Sequence, residues 1–146
     1  MTKQEFLNEI TGRRAIMLPP ASARALELAN GALQQMRAAM MPMWFIDLLQ
    51  TAADGIMLGD ADIFGITKTE RTHAGYEMPD IMSINRNISH IGGMRGRTVF
   101  GRNALFWFGF DAFGRVYMLD NLNASPVREY SDPYKAMFDC LVVGKV

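Results

Sequence analysis

Apolar residues recur at helical spacing in three stretches of the first third of the chain. In the first, Phe6, Leu7 and Ile10 share one face of a short helix that Gly12 ends. The second stretch predicts an amphipathic helix over residues 21–40, whose apolar face comprises Leu26, Ala29, Leu33, Met36 and Met40. A third helix begins at Pro42, a residue that the first turn tolerates. These patterns predict a helical N-terminal third.

The pattern changes to short strands at Gly55, where a glycine can take the positive φ that ends the third helix. Residues 55–58 and 63–65 indicate two strand-like pieces around a polar turn. Residues 68–78 are polar and predict an exposed loop. A fourth amphipathic helix then begins at Pro79-Asp80, carries Ile81, Ile84, Ile88 and Ile91 on one face, and stops at Gly92-Gly93.

Residues 104–111 form the most apolar and aromatic segment of the chain. Alternation places Trp107 on one face and Phe108 on the other, so neither face of this strand looks solvated. A turn ending at Gly114 returns the chain as an antiparallel partner strand. Residues 127–130 predict another strand, and Ser131-Asp132-Pro133 begins a last helix. Because a strand buried on both faces needs helices against it, the sequence predicts an α+β fold with N-terminal helices packed on an antiparallel sheet and a C-terminal helix.

Composition narrows the functional classes. The 146 residues suit one domain with its own core, so we assign residues 1–146 to a single domain. Fifteen basic and fifteen acidic residues cancel, which argues against binding to nucleic acid or an anionic membrane. The start of the chain lacks an apolar signal segment, no run reaches the length of a membrane span, and the only cysteine cannot form an internal disulfide. A cytoplasmic protein is the expectation.

An acidic stretch between Arg37 and Lys68 is the first candidate binding surface. Asp54, Asp60 and Asp62 lie there without an intervening basic residue. The spacing fails as a calcium loop, because Phe64 and Arg71 stand where oxygen ligands would be needed. We therefore expect no metal and interpret the stretch as a solvated turn that could oppose a basic protein surface.

A basic, glycine-rich stretch is the second candidate. Residues 81–110 contain four arginines and no acidic residue, and we expect Arg95, Arg97 and Arg102 to face an acidic protein patch. The glycines do not match phosphate-binding fingerprints. An alternative is a small-ligand or enzymatic pocket near His90, Arg95 and Tyr117.

Catalytic chemistry has little support in the sequence. His90 and His73 have no cysteine or carboxylate at metal-ligand spacing, and Cys140 lies on a core-facing part of the last helix, where thiols are inert. We expect neither a cofactor nor an enzyme.

Five landmarks, taken in order, resemble the SUKH superfamily, and specifically its YrhA-like branch of small bacterial proteins. They are Leu18-Pro19-Pro20-Ala21 before a helix, Met41-Pro42 in a helix that closes on Asp54-Gly55, the segment GDADIFGI with Phe64 and Gly65, Pro79-Asp80-Ile81 with Asn85, and Val99-Phe100-Gly101 with FWFGFDAFGRVYMLD, which includes Trp107 and Gly114. The last continues into Val127-Arg128-Glu129-Tyr130 and Phe138. The sequence departs from the family at Met41 and Asp54, where Leu and Asn are usual.

The resemblance implies a non-enzymatic α+β domain that binds other proteins. Many SUKH proteins are immunity proteins that neutralise a toxin encoded by a neighbouring gene, and fungal members are interaction scaffolds in cell-wall regulation. The resemblance therefore implies an immunity protein that blocks a cognate toxin by occlusion, with a housekeeping scaffold as the alternative.

Overall fold

A computed structural model describes residues 1–70 and 77–142. Within these ranges the chain forms five α-helices, a seven-stranded antiparallel sheet and a separate two-stranded ribbon, which confirms the predicted α+β class. The helices are α1 Lys3–Gly12, α2 Ala23–Gln35, α3 Met43–Thr51, α4 Ile81–Ile88 and α5 Pro133–Leu141. The strands are β1 Ile16–Met17, β2 Ile56–Leu58, β3 Ala61–Ile63, β4 Thr69–Glu70, β5 Glu77–Met78, β6 Arg97–Arg102, β7 Phe106–Asp111, β8 Val116–Asp120 and β9 Pro126–Tyr130. None of the described helices is long and apolar enough to cross a membrane.

Helix starts follow the capping residues in the sequence. Thr2, Ser22, Asp80 and Asp132 each accept a backbone N–H from the first turn of the helix that follows. Such caps satisfy donors that have no partner inside the helix. Helix α3 begins at Met43, one residue later than predicted. Pro42 therefore occupies the N-cap position, where its side chain makes no capping hydrogen bond.

The second helix is shorter than its apolar spacing predicts. It ends at Gln35, and Arg37 takes a positive φ of 61°. The Asn30 side-chain oxygen then accepts the backbone N–H of Met41 at 2.7 Å, which turns the chain back along α2. Met40, predicted to lie on the apolar helix face, is 47% exposed.

The fourth helix also ends early. It stops at Ile88, three residues before the last isoleucine of the pattern, and a single 3-10 turn follows at Gly92–Met94. The buried Asn85 joins this helix to the sheet: its amide donates to the carbonyl of Val99 at 2.8 Å and accepts the Val99 N–H at 2.7 Å. This amide supplies the hydrogen bonds that another strand would otherwise supply along this part of β6.

The sheet has the strand order β1-β2-β3-β6-β7-β8-β9. On one face, Phe100 and Phe110 stack with ring centroids 5.6 Å apart, and Trp44 of α3 packs edge-on against both rings. The opposite face buries Val99 and Leu119. The prediction that the central strand is apolar on both faces therefore holds in its C-terminal half, whereas Phe106 and Trp107 are only half-buried.

Two glycines explain the tight path between α3 and β3. Gly55 has φ 110°, and a side chain there would also strike Met78. Gly65 has no room for a Cβ atom, which would lie 2.2 Å from an Asp54 oxygen. Both positions consequently require glycine, and they fix the chain beside the buried Phe64.

The segment predicted as one exposed loop contains two short strands. Residues 69–70 pair with residues 77–78 as an antiparallel ribbon, and Met78 is fully buried. Residues 71–76, including His73, lie outside the described residues.

Candidate functional site

Several turns meet at one end of the sheet, which we call the loop end. It carries the β2–β3 turn with Gly59 and Asp60, the β6–β7 loop at residues 103–105, and the β8–β9 turn at residues 121–125. The β3–β6 register pairs Asp62 with Arg102, so the first two of these turns are neighbours.

Two adjoining cavities lie at the loop end. A cavity of about 790 Å³ is lined by Asp60, Glu77, Pro79, Ile84, Asn87, Arg102, Asn103 and Ala104. A second cavity of about 510 Å³ is lined by Leu58, Gly59, Asp60, Ala61, Asn103, Ala104, Leu105 and Leu141. Both cavities are lined by Asp60, Asn103 and Ala104. We therefore treat the two cavities as one continuous depression and call it the groove.

Asn103 makes the floor of the groove rigid. Its side-chain oxygen accepts the backbone N–H groups of Leu105 and Phe106 at 2.9 and 2.8 Å, and its amide donates to the carbonyl of Cys140 at 3.2 Å. An asparagine that closes a turn in this way replaces hydrogen bonds that the backbone cannot make there. The loop is thereby fixed to both β7 and α5.

Arg102 forms one wall and is held by three contacts. Its Nε donates to Oδ2 of Asp62 at 3.1 Å, and its Nη2 donates to the backbone carbonyl of Glu77 at 3.3 Å. The guanidinium also lies over the Phe64 ring, 5.4 Å from its centroid. Because Asp62 is fully buried, this pair forms partly out of water, where charge attraction is stronger.

The mouth of the groove carries both charge and apolar surface. Asp60 is exposed, and Glu77 pairs with Lys68 at 3.1 Å. Leu105 is 57% exposed although it lines the groove. Exposed apolar side chains beside charged groups are a composition that suits contact with another protein.

The acidic surface predicted from the sequence requires correction. Asp54 is 5% exposed, and its Oδ1 accepts the backbone N–H of Ile66 at 2.7 Å. Asp62 is fully buried against Arg102. Neither carboxylate lies at the exposed surface, and Asp60 is the one of the three that does.

The predicted basic surface is likewise divided. Arg97 donates to the backbone carbonyls of Gly93 at 2.9 Å and Ala124 at 3.4 Å, and its guanidinium lies over the Tyr117 ring at 4.9 Å. It therefore joins the turn at Gly92–Met94 to the β8–β9 turn. Arg95 is exposed, while Arg102 belongs to the groove wall.

His90, Arg95 and Tyr117, predicted as an alternative pocket, line neither cavity at the loop end. Tyr117 is buried beneath Arg97, and its hydroxyl donates to Oδ2 of Asp111 at 3.4 Å. Burial raises the pKa of the Tyr117 hydroxyl, and the nearby Glu129 and Asp111 carboxylates act in the same direction. His90 and Arg95 are exposed.

Cys140 is a structural thiol. It is fully buried, and its Sγ lies 3.6 Å from the backbone carbonyl of Asp62. Burial raises the pKa of the thiol well above its ordinary value, with the Asp62 and Asp139 carboxylates acting in the same direction. A neutral, enclosed thiol is a poor nucleophile.

Among residues 1–70 and 77–142, no group of three or more acidic, histidine or cysteine side chains is placed to hold a metal ion. We compared the chain with models of protein families, with curated proteins and with solved structures. None matched.

The residues that shape the groove were not all visible in the sequence. Asp60 and Arg102 were singled out by their charge, but Glu77, Asn103 and Leu105 were not. Asn103 is a residue type that favours turns. No signal in the neighbouring sequence, however, places Asn103 beside residues 60 and 77. Only the β3–β6 pairing brings these segments together.

Proposed function

We propose that this protein is a non-enzymatic protein-binding domain that acts as an immunity protein, neutralising a cognate toxin by covering the toxin's active site. The observation that carries the proposal is the groove, where exposed Leu105 and charged side chains adjoin a preformed concave surface. Protein interfaces combine apolar contact area with a polar rim in this way. The sequence resemblance to the SUKH superfamily points to the same class of activity.

The charges at the groove suggest what kind of toxin surface would fit. Asp60 and Glu77 place carboxylates along it, and the Arg102 guanidinium is directed towards Asp62 and the Glu77 carbonyl. A nuclease binds its substrate through lysines and arginines that contact phosphates. Such a basic cleft complements the Asp60 side of the groove, and complementary charge speeds association.

Rigidity supports occlusion as the mechanism. Asn103 fixes the β6–β7 loop through three hydrogen bonds, so Leu105 is presented without a large ordering cost on binding. A preorganised surface that seats an apolar side chain in the toxin's cleft would exclude substrate by volume alone. No chemical step on the toxin is required.

The test begins with affinity capture of the tagged protein from its native host, with neighbouring genes expressed, and identification of the bound protein by mass spectrometry. The purified partner is then assayed for enzymatic activity against increasing amounts of this protein. We expect a partner with a toxin domain whose activity falls to zero at a fixed stoichiometry. A partner that lacks such a domain, or whose activity persists in the complex, would contradict the immunity function and favour a scaffold.

A further inference from the structure

A third cavity, of about 380 Å³, shares no lining residue with the groove and lies between the start of α2 and the chain that follows β3. It is lined by Leu18, Pro19, Pro20, Ala21, Ser22, Ala25, Asp54, Ile66, Thr67 and Thr69, and we call it the Asp54 cavity. In the described part of the chain, its walls are aliphatic or proline side chains, interrupted by three hydroxyls and a single carboxylate.

Asp54 has one side-chain oxygen with a structural role and one without. The residue is 95% buried, since only 5% of its surface is exposed, and its Oδ1 is engaged by the N–H of Ile66. Among the described residues, no hydrogen bond is made to Oδ2. Among the described residues, Trp44 Nε1 is the fully enclosed side-chain nitrogen or oxygen that lacks a hydrogen-bond partner, so Oδ2 of Asp54 is not fully enclosed. Asp54 lines the cavity, and Oδ2 is the side-chain oxygen that remains available to a ligand there.

A nearly buried carboxylate costs free energy unless an opposite charge or donors compensate it. Among the residues that the structure describes, no lysine or arginine lines the cavity. A ligand that brings a positive charge to Oδ2 would supply the missing partner.

We propose that the Asp54 cavity binds a primary alkylammonium group. The ammonium contacts Oδ2 of Asp54, the hydroxyls of Thr67 and Thr69 accept its remaining N–H groups, and the alkyl chain lies against Leu18, Pro20 and Ile66. This site is separate from the groove, so it stands or falls independently of the proposed function.

The geometry selects an ammonium over other cations. A guanidinium binds carboxylates best through both oxygens, but Oδ1 is already occupied by Ile66. A divalent metal would need further anionic ligands, and Asp54 is the only acidic residue among the described residues that line the cavity. An ammonium acts as a point charge and needs only one carboxylate oxygen together with hydroxyl acceptors.

The source of the ammonium can be a free amine or a lysine side chain of a protein. A free amine and a lysine side chain both present a primary ammonium group, and two probes distinguish between these sources. n-Butylammonium represents the free amine, and Nα-acetyl-lysine methylamide represents a lysine within a peptide.

The experiment is an NMR titration of the 15N-labelled full chain with n-butylammonium chloride, with sodium chloride to match ionic strength and n-butanol as an uncharged probe of the same shape. We expect saturable shifts of the Ile66 and Ala25 amides in the millimolar range, at least tenfold weaker for n-butanol. Tighter binding of the lysine derivative would assign the site to a peptide lysine, and equal or weaker binding would assign it to a free amine. Equal responses to n-butylammonium and n-butanol, or no saturable response to any probe, would overturn the proposal.

Asp54→Asn is the decisive variant because it removes the charge but leaves an oxygen that can accept the Ile66 N–H. We expect at least tenfold weaker binding of n-butylammonium with the Ile66 amide resonance still dispersed. Ala25→Leu, which fills the cavity from α2 and retains the carboxylate, should weaken binding of every probe, and it serves if Asp54→Asn does not fold. Unchanged affinity in a folded variant of either kind would overturn the proposal.

Discussion

The two ends of the sheet use charged side chains in different ways. At the end opposite the groove, Asp111 organises the β7–β8 turn by itself: it accepts the backbone N–H groups of Phe113 and Arg115 at 2.9 and 3.0 Å and the Arg115 Nε at 2.8 Å. All of these donors lie within four residues. At the loop end, by contrast, Arg102 contacts Asp62 and Glu77, which are far from it in sequence.

The Asp111 turn is stabilised by contacts between residues close in sequence, whereas the loop end is formed by segments that are distant in sequence. The Asp111 turn satisfies its own hydrogen bonds locally, and residues 111–115 line none of the three cavities described above. The loop end is assembled from distant segments, and space remains between them. An exposed apolar residue therefore has a different context at each end: Phe113 is 84% exposed beside Arg115, whereas Leu105 adjoins the groove.

The largest stability effect should follow from disrupting the loop end. Asp62→Ala removes a fully buried carboxylate and leaves the Arg102 guanidinium, which is only partly exposed, without this partner. We expect a loss of about 3 kcal/mol in the free energy of unfolding, the low end for breaking a buried ion pair because Arg102 retains some access to water. Urea denaturation measures it, and a loss below about 1 kcal/mol would show that the pair does not hold the groove wall.

A smaller loss is expected at the self-contained end. Asp111→Ala deletes three hydrogen bonds to the turn and the weaker one from the Tyr117 hydroxyl, for about 2 kcal/mol by the same measurement. Arg115→Ala is the matched control and should cost under about 1 kcal/mol, because the arginine is mostly exposed. Equal losses in the two variants would mean that the ion pair, rather than the backbone contacts, stabilises the turn.

The same carboxylate predicts a pH dependence. Burial alone would raise the pKa of Asp111, but the N–H groups of Arg115 and Phe113 and the Arg115 guanidinium hold it below its ordinary value. Because the folded-state pKa is lowered, the stabilisation is complete above the unfolded pKa of about 3.9 and is lost as pH falls through the folded pKa. Thermal unfolding between neutral pH and pH 2 should show a shallower acid decline in Asp111→Ala than in the wild type. An identical decline would contradict the assignment.

The smallest stability effects are expected for the two exposed apolar residues. Leu105→Ser and Phe113→Ser should each change the unfolding free energy by no more than about 0.5 kcal/mol, since their side chains are largely in solvent. A larger loss for Leu105 would mean that it belongs to the core instead of the binding surface.

Most of the element types were predictable from the sequence because apolar periodicity and capping residues are local signals. The helix starts at Asp80 and Asp132 follow from such signals. The predicted end of α2 was wrong. The chain turns back where the Met41 N–H donates to the Asn30 side chain, and apolar spacing does not reveal such a contact.

The candidate site was less predictable for the same physical reason. Asp54, Asp60 and Asp62 look alike in the sequence, but strand pairing buries Asp62, close packing on Gly65 buries Asp54, and only Asp60 reaches the surface. Arg97 was predicted to face a partner, but its guanidinium donates hydrogen bonds to two backbone carbonyls of its own chain. Burial of a charged residue depends on contacts between distant segments.

The most direct test of the account is the dissociation constant of the captured partner, measured by isothermal titration calorimetry for the wild type and three folded variants. We predict that Asp60→Lys and Leu105→Glu, which alter the groove, each weaken binding at least tenfold, while Phe113→Glu at the opposite end leaves it within twofold. Unchanged affinity in both groove variants, or a loss confined to Phe113→Glu, would contradict the claim that the loop end is the binding surface.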